Sequence, residues 1–362
     1  MNSYRAQMHN SQQSAQDFVL FSVEKNCGII TLNRPQALNA LHKDMMTSIR
    51  QQLLDWREDP TVLMVLVHSK EGKAFCSGGD LRFVYEMLQV KNFQVLEDLF
   101  RTEYTLNYII RTYPKPYVAV VDGIVMGGGM GLSANGSLRI TGERTIAAMP
   151  ETNIGFFPDV GATTFLNQCS GSIGLYLGLT ANHIKYQDAL YANFFDSHCP
   201  SSRLDDLKAA LINAEDKTHV GLKALAQSYE EVPPHGHLYE NRLAIEQHFH
   251  HKTLEAIFSS LESDSSDFSL HTLNILGHRS PRSLAVAFQQ LTRGKNLNAH
   301  EAIQMEFHLS QNFLHNPDFF EGIRAAIIDK DRTPHWAEKT IQDVEQKKVD
   351  GYFTTDLKDL DL

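Results

Sequence analysis

The sequence has few of the residues that mark disulfide-bonded, metal-binding or membrane-spanning proteins. Only four cysteines occur in 362 residues, and no two of them form a Cys-x-x-Cys pair, so we expect reduced, mostly buried thiols. No run of 18 apolar residues occurs, which argues against a transmembrane helix. The 17 histidines show no H-E-x-x-H or other paired metal-ligand spacing, and we therefore expect no metal site.

Basic residues are also in the minority. Lysine and arginine number 33 against 43 acidic residues, and the formal net charge is -10. A general nucleic-acid-binding protein needs a basic face, so this balance argues against that class. The first 16 residues are polar and lack the apolar segment of a secretory signal, with Arg5 the only Lys or Arg among them. We interpret residues 1–16 as a flexible tail and predict a cytoplasmic protein of bacterial type.

Short apolar segments alternate with helical patterns in the first half of the chain. Phe18–Val23 and Gly28–Leu32 predict a β-hairpin. The continuous apolar runs Val62–Val67 and Tyr117–Val121 predict strands that are buried on both faces. The helical spacing of Leu38, Leu41, Met45 and Ile49 predicts a helix that runs to about Trp56. Glycine-rich loops follow both buried strands. This alternation is typical of an α/β layered fold, in which ligands bind at the strand exits.

The strand signal fades after residue 165. Residues 200–270 are polar and helix-like, a further helix-rich block runs from Ser283 to about Ile328, and the charged segment Lys330–Leu362 is expected to wrap the surface. We therefore predict a core at residues 17–200, which contains the ligand site, and a helix-rich C-terminal region at residues 201–362.

Two carboxylates, Glu151 and Asp159, stand in the otherwise apolar run Met149–Gly161. Carboxylates in apolar surroundings are unfavourable unless they are paired, hydrogen-bonded or protonated. Positioned acids of this kind serve general acid/base catalysis. Each acid has a structural alternative: Asp159 as the cap of a helix that begins near Val160, and Glu151 as a buried residue satisfied by nearby backbone.

Glycine-rich runs suggest backbone hydrogen-bond donors near these acids. Glycines let a backbone approach a ligand closely, and two amides from separate strand-exit loops form an oxyanion hole. We nominate the amides of Ser77 and Gly128. The alternative is that Gly127–Gly131 only permits tight helix packing. Neither run matches the phosphate-binding G-x-x-x-x-G-K-[ST] pattern or the dinucleotide-binding G-x-G-x-x-G pattern.

Four motifs in this order resemble the crotonase (enoyl-CoA hydratase/isomerase) superfamily over roughly residues 17–200: Arg34–Leu41, Lys73–Asp80, the Gly127 run, and Pro150-Glu151 with Gly155. The resemblance implies a crotonase-like spiral of ββα turns with a helical C-terminal region, and a CoA thioester as the substrate. It implies that the Ser77 and Gly128 amides hold the thioester carbonyl. Further backbone positions match family contacts to CoA, namely Ala37, Leu38, Gly79, Asp80 and Leu81.

The chain departs from the hydratases of that family in its acids. Gly131 stands where hydratases carry their first catalytic glutamate, Glu151 matches the second, and Asp159 stands where hydratases commonly have glycine. In these features, in Phe100–Tyr104 and in the C-terminal segments Asp318–Ala325 and Asp329–Asp331, the chain is similar to one subfamily, the hydrolases of 3-hydroxyisobutyryl-CoA, which act in valine breakdown. The similarity implies that Glu151 and Asp159 are catalytic. The substrate site would comprise Glu103, Gly128, Glu151 and Asp159.

The sequence leaves alternatives open for single residues and for the class of the protein. Glu103 lies in a predicted helix and has the ordinary interpretation of a solvated or ion-paired residue. The chain as a whole could be a hydratase or isomerase that uses Glu151 alone, or a non-catalytic acyl-CoA-binding or nucleic-acid-associated homologue. Arg34 and Lys73 are candidates for CoA phosphates or for plain solvent exposure. We expect an acyl-CoA substrate, no separate cofactor, no nucleic acid or membrane partner, and a homo-oligomer, trimer or hexamer, as in crotonase relatives.

Overall fold

The structure is a computed structural model that describes residues 18–70, 72–354 and 358–362. The predicted tail at residues 1–16 lies outside the described residues. Within them, no helix is both long and apolar enough to cross a membrane.

In the described part of the chain, ten strands form two sheets. They are β1 (Val19–Glu24), β2 (Cys27–Leu32), β3 (Met64–Ser69), β4 (Ala74–Cys76), β5 (Tyr117–Val121), β6 (Ile124–Met126), β7 (Leu138–Thr141), β8 (Ile146–Ala148), β9 (Ile184–Lys185) and β10 (Ser197–His198). The larger sheet has the order β1-β2-β3-β5-β7-β10 and the smaller sheet β4-β6-β8-β9. Each of the pairs β3/β4, β5/β6 and β7/β8 contributes its first strand to the larger sheet and its second strand to the smaller sheet. Within each sheet, the strands of successive pairs lie parallel to one another. This arrangement is the predicted spiral of ββα turns.

The predicted hairpin is present, with β1 antiparallel to β2. Its two-residue turn, Lys25-Asn26, has positive φ at both positions, as a type I′ turn requires. The two predicted buried strands are also present as β3 and β5. Every residue of β5 is buried, as are the first four residues of β3, because the larger sheet is covered on both faces.

Helices cover the sheets and build the C-terminal region. They are α1 (Lys43–Glu58), α2 (Leu81–Gln89), α3 (Phe93–Arg111), α4 (Gly128–Ser133), α5 (Ala162–Asn167), α6 (Ile173–Thr180), α7 (Tyr186–Tyr191), α8 (Leu204–Asn213), α9 (His219–Ser228), α10 (His237–Glu240), α11 (Arg242–Phe249), α12 (Leu254–Glu262), α13 (Asp267–Gly277), α14 (Pro281–Gly294), α15 (Ala299–Phe313), α16 (Pro317–Ile323) and α17 (Gln346–Gly351). A π-helical turn, Arg324–Ile328, extends α16.

The two faces of the larger sheet belong to different hydrophobic clusters. On one face, Met64 and Val118 of the strands pack with Leu207 of α8 and Leu222 of α9. The other face belongs to the main core, which α1, α3 and the C-terminal helices complete. Helices of the predicted C-terminal region, residues 201–362, thus pack on both faces of the larger sheet.

The end of the chain crosses α15 and α3. The Gln304 side chain exchanges two hydrogen bonds with the backbone of Leu360, at 2.9 and 2.8 Å. Arg101 of α3 donates to the carbonyl of Asp359 at 2.9 Å. The charged C-terminal segment therefore follows the surface, as the sequence predicted.

Candidate active site

One cleft, partly open to solvent, brings together most of the predicted site residues. Those that line it are Ser77, Gly79, Asp80, Leu81, Glu103, Gly128, Glu151 and Asp159. Its walls are largely apolar and include Met46, Val84, Leu99, Phe100, Ile154, Phe156 and Phe319. Ala37 and Leu38 do not line the cleft; they lie in the adjoining turn.

Two glycines at the start of α4 let two carboxyl groups approach the same stretch of backbone. A Cβ on Gly127 would lie 2.9 Å from Oε1 of Glu151, and a Cβ on Gly128 would lie 2.6 Å from Oε1 of Glu103. Gly127 also has a φ of 48°, a backbone conformation that residues with a side chain rarely adopt. The glycine run therefore makes room for acids beside the backbone, which is more than close helix packing requires.

The two nominated backbone donors differ in their present partners. Gly128 is the first residue of α4, and its amide has no backbone acceptor among the described residues. The Ser77 amide donates to the carbonyl of Leu38 at 3.0 Å. The Gly128 amide is thus free of a backbone partner in a residue that lines the cleft, and the assignment of both amides to an oxyanion hole stays a prediction.

Asp159 is buried, and its partner is Tyr104 of α3. The Tyr104 hydroxyl donates to Oδ2 of Asp159 at 2.7 Å. Burial raises the pKa of Asp159 to about 7, although the hydrogen bond from Tyr104 opposes the rise. A carboxyl group with a pKa near neutrality exchanges a proton readily, which is what general acid/base catalysis requires.

Asp159 does not cap the helix that follows it. Helix α5 begins at Ala162, and Gly161 is its N-cap residue without a side-chain cap. The first amides of α5 are instead satisfied by Glu306 of α15, which accepts from Gly161 and Thr163 at 2.7 Å each. The capping interpretation of the Asp159 side chain is therefore wrong.

Glu151 begins the 3-10 turn Glu151–Ile154 behind the cleft. Its Oε2 is buried and has no hydrogen-bond partner among the described residues. Burial, followed by the charge of Asp159, raises the pKa of Glu151 well above its ordinary value. The interpretation of Glu151 as a residue fully satisfied by backbone does not account for this orphaned oxygen.

Glu103 projects from α3 into the same group of acids and is only 6% exposed. Burial, followed by the charge of Asp159, raises the pKa of Glu103 to about 8. A helical glutamate on a solvated face has neither property, so the interpretation of Glu103 as a solvated residue is excluded.

Position 131 has no space for a side chain. A Cβ on Gly131 would lie 2.6 Å from Nδ2 of Asn107 and 2.8 Å from Cβ of Val160. Val160 itself has a φ of 56°, which is unusual for a β-branched residue. The position at which hydratases carry their first catalytic glutamate is therefore closed by neighbouring side chains.

The two basic candidates for CoA phosphates have different surroundings. Nη1 of Arg34 donates to the carbonyl of Ala40 at 2.9 Å and to Oδ2 of Asp80 at 3.0 Å. Arg34 thus joins its own turn to the start of α2. Lys73 is exposed. His42 and Lys43 at the start of α1 also line the cleft and are further basic groups that sequence reasoning did not select.

Sequence reasoning also missed Tyr104, which hydrogen-bonds Asp159, and Glu306, which binds the backbone that follows Asp159. Tyr104 is adjacent to Glu103, and nothing local marks it as a partner of a residue 55 positions away. Glu306 had a usable signal, because it stands with Ile303, Phe307 and Ser310 on the buried side of α15. An acid on an apolar helix face is a candidate for a buried polar contact.

Among the described residues, no group of three or more His, Cys, Asp or Glu side chains is arranged to hold a metal ion. The four cysteines are free and buried. The absence of a cofactor stays an expectation from the sequence.

Comparison with known proteins identifies the class. The sequence model described as enoyl-CoA hydratase/isomerase matches residues 27–353. The chain belongs to this family, and the predicted family and fold are confirmed. Two solved structures share the fold over nearly the whole chain: a carnitinyl-CoA dehydratase from Mycobacterium thermoresistibile (TM-score 0.89, 32% identity, 95% of this chain and 98% of that one), and an enoyl-CoA hydratase from Rhodobacter sphaeroides 2.4.1 (TM-score 0.86, 36% identity, 93% and 97%).

Curated relatives narrow the class further. The 3-hydroxyisobutyryl-CoA hydrolase of Xenopus laevis is 39% identical over 357 residues, which cover 97% of this chain and 92% of the relative. The human protein of the same name is 36% identical and covers 92% and 89%. The predicted similarity to this subfamily of acyl-CoA thioester hydrolases is confirmed.

The predicted cytoplasmic location is wrong by the same comparison. The relatives from Xenopus laevis, Danio rerio and Homo sapiens are all named as mitochondrial proteins. Targeting segments are defined loosely by composition, so the polar character of residues 1–16 was a weak basis for assigning a compartment.

Proposed function

We propose that the protein hydrolyses 3-hydroxyisobutyryl-CoA to 3-hydroxyisobutyrate and CoA. One observation carries the choice of reaction within the family. The position of the first hydratase acid, Gly131, is closed by Asn107 and Val160, while Glu151 and Asp159 remain together in the cleft. Adding water across a double bond would use the missing acid. Hydrolysis needs an oxyanion donor, one nucleophile or base, and one group that transfers a proton.

In this proposal the thioester oxygen binds at the Gly128 amide. The Ser77 amide supplies the second hydrogen bond once the bound acyl group displaces its bond to Leu38. Glu151 then either attacks the carbonyl carbon, so that the CoA thiolate leaves and water hydrolyses the resulting anhydride, or deprotonates a water molecule that attacks the carbonyl carbon instead. Asp159 transfers the proton to the departing thiolate. Its pKa of about 7 suits a group that both gives and takes a proton near neutral pH.

Glu103 has the position and the protonation to recognise the substrate hydroxyl. It lies beside Gly128, and a carboxyl group with a pKa of about 8 is mainly protonated at neutral pH. A protonated carboxyl group both donates and accepts a hydrogen bond, which matches an alcohol. The backbone of Gly79, Asp80 and Leu81 at the start of α2 is proposed to contact the CoA portion, and the contacts of Ala37 and Leu38 stay a prediction, as does the trimer or hexamer.

A direct assay tests the reaction. The purified protein is incubated with 3-hydroxyisobutyryl-CoA, free thiol is followed with a chromogenic reagent, and the acid product is identified by mass spectrometry. We expect one thiol for each acid released. A single-turnover reaction in H₂¹⁸O detects the anhydride route, because ¹⁸O enters the Glu151 carboxyl group only when water opens an anhydride at the Glu151 carbonyl.

A hydratase is the second candidate, and the names of the two solved structures favour it. Crotonyl-CoA distinguishes the candidates because its hydration lowers the enoyl absorbance without releasing thiol. We expect poor hydration of crotonyl-CoA. Efficient hydration, with no thiol released from 3-hydroxyisobutyryl-CoA, would overturn the hydrolase assignment.

A further inference from the structure

Glu306 of α15 is a fully buried acid that the proposed chemistry does not use. Its relative exposure is 0%. Oε2 accepts from the Gly161 amide and Oε1 from the Thr163 amide, each at 2.7 Å. The first of these amides follows Asp159 by only two residues. Both oxygens of one side chain are thus committed to the backbone that carries a proposed catalytic acid.

The backbone that Glu306 holds is strained. Val160 has a φ of 56° and Gly161 a φ of 92°. A β-branched residue in this region is unfavourable and persists only where its surroundings fix it. Two further side chains contribute: Gln290 donates to the Pro158 carbonyl at 2.6 Å, and Asn135 donates to the Val160 carbonyl at 2.9 Å.

A helix start does not require an acid from a distant helix. Caps are normally Ser, Thr, Asp or Asn at the helix start itself. Here the cap is supplied from 145 residues further along the chain, and it places a carboxyl group within electrostatic reach of Asp159. This choice is unfavourable for a helix alone, because burial, and to a lesser degree the charge of Asp159, raise the pKa of Glu306 to about 8 although the hydrogen bonds from Gly161 and Thr163 oppose the rise, and a buried carboxyl group is costly.

We propose that Glu306 is a positioning residue, which fixes the Pro158–Gly161 turn so that Asp159 points at the bound thioester. The inference rests on the proposed hydrolase function. Glutamine cannot replace Glu306 fully, because its amide nitrogen is a donor and faces an N–H group where the carboxylate offered an acceptor. The rate of hydrolysis therefore depends on α15, in the C-terminal helical region.

A double-mutant cycle tests the proposal in the full-length protein with Glu306→Gln, Asp159→Asn and the double variant. Glu306→Gln is expected to lower kcat roughly 10- to 100-fold, since a small misplacement of a catalytic group has such effects, while KM changes less than about threefold. In the Asp159→Asn background the same change should have almost no further effect on the residual kcat, because residues that act through one another are not additive.

Gln304→Glu is the matched control. Gln304 lies two residues earlier on α15 and also bonds to the backbone through both polar atoms of its side chain. Gln304→Glu replaces an amide nitrogen with a carboxyl oxygen, which is the reverse of the change in Glu306→Gln. It is expected to lower the melting temperature and leave kcat unchanged. Additive losses in the cycle, or equal kcat values for Glu306→Gln and wild type, would overturn the proposal. If Glu306→Gln does not fold, Glu306→Asp replaces it in the same cycle.

Amide hydrogen exchange provides a readout that is independent of the reaction. Glu306→Gln should accelerate exchange at Gly161 and Thr163, and Gln304→Glu should not. If the wild-type protein releases no CoA, the proposed function fails, and this exchange experiment still decides whether Glu306 fixes the turn. Unchanged exchange at both amides would overturn the positioning role, whatever the substrate.

Discussion

The Cβ that any other residue would carry at position 131 falls 2.8 Å from the Cβ of Val160. The acid that hydratases carry here is therefore not merely absent, because its space belongs to another side chain. Val160 takes that space by adopting a left-handed backbone conformation with a φ of 56°, in the turn that also carries Asp159. The loss of one acid and the placement of another are thus coupled through adjacent residues.

Restoring the hydratase acid should therefore fail. Gly131→Glu is expected to destabilise the protein by more than about 1–3 kcal/mol, the usual effect of overpacking, because it also buries a charge. It should not create hydration of crotonyl-CoA. Thermal melting and the enoyl absorbance measure the two effects. The matched pair is Gly131→Ala against Gly277→Ala, since a Cβ on Gly277 meets nothing within 4 Å; only the first should destabilise. A stable Gly131→Glu protein that hydrates crotonyl-CoA would contradict this account.

Glu151→Gln should abolish most of the activity without harming the fold. We expect kcat to fall on the order of 10²- to 10⁴-fold with a much smaller change in KM, because the change removes the base or nucleophile but keeps the size. Stability should be equal or higher, since Oε2 of Glu151 is buried without a partner. Glu338→Gln is the control: Glu338 is buried and ion-paired with Arg282, so its loss should lower stability and spare kcat. Near-normal kcat in a folded Glu151→Gln protein would reject the assignment.

The sequence predicted the strands better than the helix starts. Tyr117–Val121 was predicted with its observed bounds because a strand covered on both faces is a continuous apolar run. The first helix was expected to include Leu38, but α1 begins at Lys43. Leu38 and Asn39 have φ values of 51° and 54°, which no helical position allows. Apolar spacing does not reveal a left-handed turn at such residues.

The acids in the cleft could be predicted from the sequence, but the residues that hold them in place could not. Glu151 and Asp159 stand out locally because they interrupt an apolar run. Tyr104 and Glu306 act on Asp159 and its turn across 55 and 145 residues of chain, and contacts at such separations follow from tertiary packing. Local pattern therefore found the candidate acids and missed the groups that hold Asp159 and its turn.

Asp159→Asn should separate activity from stability in a pH-dependent way. The change is expected to reduce kcat for thioester release at least about 100-fold, because the side chain can no longer transfer a proton. The pKa of Asp159 is raised from 3.8 to about 7, so the folded state retains a proton that the unfolded chain has lost. Wild-type stability therefore falls as pH rises from about 4 to about 7, and the variant lacks this contribution.

The melting temperature of Asp159→Asn should consequently equal that of the wild type near pH 4 and exceed it increasingly toward pH 7. Melts at closely spaced pH values check this trend, and steady-state kinetics check the loss of activity. A variant that keeps full activity, or one whose relative stability declines with pH, would contradict the role given to Asp159.

Tyr104→Phe should shift the pH profile upward. The hydroxyl of Tyr104 donates to Asp159, and this bond lowers the pKa of Asp159. Its removal leaves burial unopposed, so the pKa of Asp159 should rise. The limb of the kcat profile that reports Asp159 should move to higher pH whether Asp159 acts as acid or base. Tyr113→Phe is the control, because Tyr113 donates to the Leu53 carbonyl away from the cleft. A profile that stays in place would show that Asp159 does not control the rate.

Glu103 should determine selectivity for the substrate hydroxyl, and paired substrates reveal this most clearly. With a pKa raised to about 8, Glu103 is mainly protonated at neutral pH and resembles glutamine in its hydrogen bonding. Glu103→Gln should therefore retain most of the kcat/KM for 3-hydroxyisobutyryl-CoA. Glu103→Leu should lose roughly 5- to 150-fold, because one unsatisfied hydroxyl costs about 1–3 kcal/mol. For isobutyryl-CoA, which lacks the hydroxyl, Glu103→Leu should change kcat/KM little. Equal losses on both substrates would mean that Glu103 supports the chemistry or the fold, since a residue that recognises only the hydroxyl cannot affect a substrate without one.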